Sequence, residues 1–324
     1  MNLNSAEKRQ LYRELCEEAY IPLHAKDWWL DAVCGIDNWE VILVLDKGKI
    51  MGALPYFNSK KLGFLNQIIN PTLSIYNNIY LRLPDNPDIK ATKLQSLENI
   101  ITNELVSQIP QTTFFRQQIN PQVTNALPFI WAGFQQYTKY SFRYPDLEDT
   151  DSIFKSIAYN TRHGMKKANE NIKISTSDDF DTLYELNSQS YLSKGTNLPY
   201  SMEFLKRIYQ TLKKHNACDL HLAQDKKSGK NIAALLTAYD EKVAYAIVAG
   251  TSREGINQSS LNCLYWQSVE AAAKCVQTYD FEGSMNPKIE HIYRNFGAHR
   301  TPYHCVYRFK NRAWHAAAVI AGLI

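Results

Sequence analysis

The chain has 324 residues, 45% of them hydrophobic and 21% charged, with 36 basic against 32 acidic side chains for a net charge of +4. At roughly 150 residues per domain this length predicts two domains, and the composition excludes disordered, collagen-like and low-complexity chains. The charge is too small for a bulk polyanion binder, and no apolar run approaches the roughly 20 residues of a membrane helix.

The polar start, residues 1–18, has no signal-peptide core. Six Cys without a CxxC pair read as free thiols in a reducing cytoplasm. From there the first half predicts a helix over Ser5–Glu18 with Ser5 as its cap, and an aromatic helix over 24–34. A hairpin over 41–54 turns at Asp46-Lys47-Gly48-Lys49. A helix over 86–108, a strand over 112–118, a helix over 121–131 and a strand over 137–144 complete this half. The acidic, proline-initiated stretch 145–151 is the best linker candidate.

The second half predicts a helix over 152–169, a short strand over 172–175, and helices to about 193 and over 201–215. Three strands follow, over 219–224, 232–239 and 243–249, with hairpin-like separators. A helix over 259–275, a strand over 279–283, a helix over 289–295 and a final strand over 303–309 close the chain. Mixed strand and helix order of this kind is α+β rather than doubly wound. The apolar tail 316–324 is about half a membrane span and reads as a terminal helix or interface patch.

Asn286, Tyr293 and Gly297 stand at the spacing that GNAT acyltransferases show across their fifth strand and the following helix. Tyr279-Asp280-Phe281-Glu282-Gly283 followed by Tyr293-Arg294-Asn295-Phe296-Gly297 resembles, more specifically, the FemAB-like acyltransferases. Gly133-Phe134 leading to Asp146-Leu147, and the basic helix Thr161-Arg162-His163-Gly164-Met165-Lys166-Lys167-Ala168, are similar to the same family. The resemblance implies two tandem GNAT-like domains, each a mixed sheet flanked by helices, over 1–145 and 151–324. Asn120-Pro121 and Asn286-Pro287 each precede a helix, a glycine and an aromatic-basic strand. Counted from these dipeptides, the first half has Leu127 where the second has Tyr293, so chemistry is expected in the second half and the first domain is expected to be non-catalytic.

Acyl transfer to an amine needs a neutral nucleophile, donors for the developing oxyanion and a proton for the leaving group. The resemblance assigns Tyr293 as general acid: a phenol of pKa near 10 is protonated at neutral pH. Glu282, at a strand end, is a candidate base or amine-orienting carboxylate, and Asp280 could share its face. Tyr293 is also readable as packing its helix onto the sheet, and Glu282 equally as a strand-end charge facing solvent. The glycine-rich pyrophosphate loop of CoA-dependent GNAT proteins finds no register in 250–260. Arg253 with the helix N-terminus at Ser259 and Ser260 offers the donors that remain. Arg162 and Lys166, one turn apart, and Arg294, beside the motif tyrosine, could hold an anionic substrate, or be solvated helix faces. Tyr245 could line the cleft or simply pack. The eight His suggest no metal site. The expected function is transfer of an acyl or aminoacyl group to a small-molecule or nucleotide-linked amine, such as a cell-wall precursor. Acyl-CoA or aminoacyl-tRNA would be the donor substrate, with no tightly bound cofactor. An acetyltransferase of small amines, or a binding protein that has lost catalysis, are the rivals.

Overall fold

The computed structural model describes residues 3–61, 65–311 and 314; the apolar tail 316–324 lies outside them. The chain divides into two compact units, Met1–Lys139 with the chain from Pro302 onward, and Tyr140–Thr301. The crossings fall inside strands and not in the acidic stretch 145–151, whose Leu147 is buried in the core of the second unit. A strand follows its hydrogen-bonded ladder rather than its place in the sequence, so neither 1–145 nor 151–324 coincides with a unit.

In the first unit, helix α1 (Ser5–Glu18) is opened by Asn4, not Ser5. The Asn4 side chain accepts from the Glu7 N–H at 3.0 Å while the Glu7 carboxylate accepts the Asn4 N–H at 2.7 Å. That reciprocal box satisfies two N–H groups that a helix start leaves without partners. A short 3-10 turn leads to α2 (Asp27–Cys34), then β1 (Glu40–Asp46) and β2 (Lys49–Lys61) form the expected hairpin. β3 (Leu65–Ile69) and β4 (Tyr80–Leu81), both absent from the sequence reading, precede α3 (Ala91–Ser107), β5 (Phe114–Gln118), α4 (Leu127–Trp131) and β6 (Gln135–Tyr144).

The second unit begins with α5 (Thr150–Ser156) and α6 (Tyr159–Asn171). The single helix expected there is broken where Ile157 turns into the core with extended backbone. Then come β7 (Ile172–Thr176), α7 (Phe180–Leu192), α8 (Met202–Lys214), β8 (Cys218–Asp225), β9 (Asn231–Tyr239) and β10 (Val243–Thr251). A one-turn α9 (Arg253–Asn257), α10 (Ser260–Ala272), β11 (Thr278–Asp280), α11 (Pro287–Asn295) and β12 (His299–Phe309) end the described chain.

The sheet of the first unit runs β1-β2-β3-β5-β12, with β3 and β5 parallel and the other neighbours antiparallel. One face places Ile42, Leu54, Ile68, Phe115 and Val306 under α3 and α4. On the other face Val41, Leu43 and Ala53 meet α1 and α2. In the second unit the order is β6-β11-β10-β9-β8-β7, and only β10 and β11 run parallel. Both units are mixed sheets flanked by helices, the α+β class expected from element order. Among the described residues no helix is long and apolar enough to cross a membrane.

Candidate active site

β10 and β11 pair over three positions, the last being Tyr245 with Asp280. β11 stops there while β10 runs on to Thr251. The two strands therefore part at their carboxyl ends, where open sheets receive ligands. A bulge takes Ile247 out of register with β9 just past the last shared pair. Beyond it, side chains of α7 bond the strand edge at Ala249 and Thr251. Asn187 Nδ2 donates to the Ala249 carbonyl at 2.7 Å. Ser190 Oγ accepts the Thr251 N–H at 2.7 Å and donates to the Thr251 carbonyl at 3.1 Å.

The loop after β11 is tied down from below. Asp280, 0% exposed, accepts from Ser141 Oγ at 2.5 Å, Arg143 Nε at 2.7 Å and the Glu282 N–H at 2.7 Å. A buried carboxylate is tolerable only with such partners. Asp280 and Glu282 were expected to share a strand face, and they do not. Glu282 has φ +59° and Gly283 φ +47°, so the pleat ends at Asp280 and the chain turns away. A side chain at Gly283 would place its Cβ 2.4 Å from Ser141 Cα, so only glycine allows this approach to β6.

Asn286 caps α11, accepting from the Lys288 N–H at 2.9 Å, and Pro287 sits at its first turn. Gly297 takes the left-handed position (φ +72°) that ends it. Between cap and glycine, Tyr293 turns inward and is 8% exposed. Its ring lies 5.0 Å from Phe281, 5.8 Å from Phe142 and 6.0 Å from Tyr265. Burial first, then the Tyr265 hydroxyl and the charge of Glu282, hold the Tyr293 phenol well above its ordinary pKa. The same Glu282 charge raises Tyr265 after its own burial. Tyr293, Tyr265 and Glu282 thus form one electrostatic group at the end of β11. Tyr265 joins the two residues expected, and Asp280, named from the sequence as a companion of Glu282, instead anchors the loop beneath them. For Tyr265 the only signal was its place on the buried stripe of α10.

The other expected residues separate. Tyr245 is fully buried and its hydroxyl donates to Asp240 at 3.0 Å, so it packs rather than lines a cleft. Ser260 is fully buried and donates to the Gly255 carbonyl at 2.9 Å. Ser259 has φ +54°, makes no side-chain cap, and its N–H is taken by the Ile256 carbonyl. Arg253 opens the exposed turn α9. Of the donor set expected at the start of α10, the Ser259 N–H and the Ser260 hydroxyl are therefore taken internally. Arg162 and Lys166 do come together, with Lys155 and Trp266, in a groove of about 850 Å³ between α6 and α10. Arg294 lies in a different groove of about 670 Å³, where it and Arg300 pair with Glu290 at 3.3 and 3.1 Å.

Residues 155–287 match the family model of an acetyltransferase (GNAT) domain. No curated protein matches the chain. The crystal structure of FemX is similar at a TM-score of 0.64 and 12% identity, covering 94% of this chain and 96% of that one. The C-terminal domain of a putative lysylphosphatidylglycerol synthetase from Agrobacterium fabrum is similar at 0.56 and 11%, covering 97% and 95%. A tandem GNAT protein from the clavulanic acid biosynthesis pathway is similar at 0.54 and 10%, covering 95% and 96%. The fold is the FemAB-like, tandem GNAT fold that the motifs of the second half imply.

Proposed function

We propose that this protein is an N-acyltransferase that moves an acyl or aminoacyl group from an activated donor to an amine. The observation that carries the reading is the group of Tyr293, Tyr265 and Glu282 at the parted ends of β10 and β11, inside the segment that matches the GNAT domain. Glu282 orients the amine and takes its proton; Tyr293 gives a proton to the leaving group. The oxyanion would develop at the split beside the Ile247 bulge, where backbone N–H groups are the donors to test.

Between donors, the site favours an aminoacyl ester. An extended pantetheine arm would pair with the free edge of β10, and Asn187 and Ser190 already occupy that edge. A phenol held well above 10 is also a poor match for a thiolate, whose conjugate acid ionises near 8.5, and a better one for a ribose alkoxide. Arg162 and Lys166 would then grip the phosphates of an aminoacyl-tRNA. The acceptor is an amine on a small or nucleotide-linked molecule, such as a cell-wall precursor, with Arg294 for its anionic part, and the setting is the cytoplasm. The first unit is assigned no chemical step. The test is to offer acyl-CoA and charged tRNA separately to the purified chain with a panel of amines. Turnover with charged tRNA, lost in Tyr293→Phe, is expected. Turnover with acyl-CoA alone overturns the donor assignment, and binding without turnover in either case overturns the enzyme reading.

A further inference from the structure

The first unit carries a cation cluster that the acyl-transfer reading does not use. Across the β5–β12 ladder Gln118 faces Cys305, Arg116 faces Tyr307 and Phe114 faces Phe309. Residues directly opposite in an antiparallel pair share a face, so these lie opposite the core face that holds Phe115 and Val306. Lys139 of β6 joins them, its Nζ donating to Gln118 Oε1 at 2.6 Å. Tyr137, two residues earlier on β6, has its ring 5.8 Å from that of Tyr307. Of the described helices of this unit, α3 and α4 pack on the core face and α1 and α2 over β1 and β2, while His24 and Trp29 reach the Tyr303 end of β12 through Tyr76.

Arg116, two residues before Gln118 on β5, shares the face of the amide that Lys139 holds; burial lowers the Lys139 amine, Cys305 opposes that, and Arg116 lowers it further. Among the described residues neither forms an ion pair with a carboxylate. Two cations on one half-buried sheet face, with no carboxylate paired to either among the described residues, are costly to hold. A solvated helix face does not explain them, because Lys139 is half-buried on a strand. The arrangement is repaid by an anion that takes both: a guanidinium fork and an ammonium point charge suit the several oxygens and double charge of a phosphate.

We propose that this end of the first unit's sheet is a binding site for a phosphate-bearing ligand, gripped by Arg116 and Lys139 and flanked by the Tyr137–Tyr307 ring pair. The site stands on the geometry of the first unit alone and holds whichever donor the second unit uses. The phosphate could belong to a soluble ligand or to a lipid headgroup.

Inorganic pyrophosphate is the probe, titrated into the full chain by calorimetry and by thermal shift. Wild type binds it and its Tm rises. Arg116→Gln and Lys139→Met each weaken binding by about tenfold or more, the size of a lost charge-assisted contact. Lys173→Gln, an exposed lysine of β7, leaves it unchanged. Without ligand, Lys139→Met melts at or above the wild-type temperature, because a like-charge contact has been relieved; a purely structural lysine would give the opposite sign. Flotation with phosphatidylglycerol vesicles separates the sources. Retention of wild type but not of the two variants assigns a lipid phosphate, and no retention assigns a soluble one. Pyrophosphate binding equal in wild type and both variants, or none in wild type, overturns the proposal.

Discussion

α4 in the first unit and α11 in the second are each followed by a left-handed glycine and then a strand, yet they present different side chains inward. Gly133 (φ +81°) and Gly297 (φ +72°) end them alike. Four residues before each glycine stands a buried aromatic: Phe129, 1% exposed, and Tyr293, 8% exposed. The expected counterpart of Tyr293, Leu127, is 50% exposed and faces away from the core. Counting from Asn120-Pro121 fails because 121–126 forms turns rather than helix, which shifts the register by two residues. Counting from the glycine succeeds because the helix end is what the two segments share. The difference between the units at this point is a single hydroxyl, set beside a carboxylate in one and beside apolar side chains in the other.

The strongest way to break the comparison is to remove what fixes the loop beneath Tyr293. Arg143→Leu leaves Asp280 buried beside Ser141 without its cation. The expected loss is about 3–5 kcal/mol of stability, read as a lower urea midpoint at neutral pH. Loss below about 1 kcal/mol would mean that the Arg143–Asp280 pair does not hold the loop.

Tyr293→Phe turns the second unit into the likeness of the first. Turnover should fall about 10²–10³-fold with KM for the amine little changed, since the hydroxyl acts on the leaving group and not on binding. The alkaline side carries a second check. With its folded pKa raised above the unfolded value, Tyr293 stays protonated after an unfolded tyrosine has ionised. The group's contribution is intact below pH 10 and is lost as pH rises beyond it. A turnover profile that breaks well below pH 10 therefore cannot be assigned to Tyr293, and that limb should persist in a Tyr265→Phe variant.

Helices and hairpins with strong local signals were legible in the sequence. Ser5–Glu18 is found at its expected bounds, because Tyr12 and Leu15 mark its buried stripe and Glu7 its start. What escaped depended on partners far along the chain. β11 is three residues long and not five, because Asp280 is drawn to Ser141 and Arg143, more than a hundred residues earlier. Ser259, Ser260 and Tyr245 had the right residue types for a site, but carbonyls and a carboxylate within five residues claim them. Tyr293 and Glu282 do fall together, because the spacing of cap, inward tyrosine and C-terminal glycine is a local property of one helix and the loop before it.

The smallest effects test which residue of the first unit answers to Tyr293. Phe129→Tyr adds a hydroxyl to a ring packed edge-on to Phe134 at 5.6 Å in an apolar cluster. A buried hydroxyl without a partner costs about 1–3 kcal/mol, so the urea midpoint should fall while turnover stays at its wild-type value. Leu127→Tyr adds the same hydroxyl to an exposed position and should change stability by no more than about 0.5 kcal/mol. If the two substitutions are equally silent, Phe129 does not occupy the inward position and the glycine-based register is wrong. If Leu127→Tyr is the costly one, the count from Asn120-Pro121 is restored. The pair of midpoints therefore decides between the two registers without any assay of activity, and does so in the unit where no chemistry is assigned.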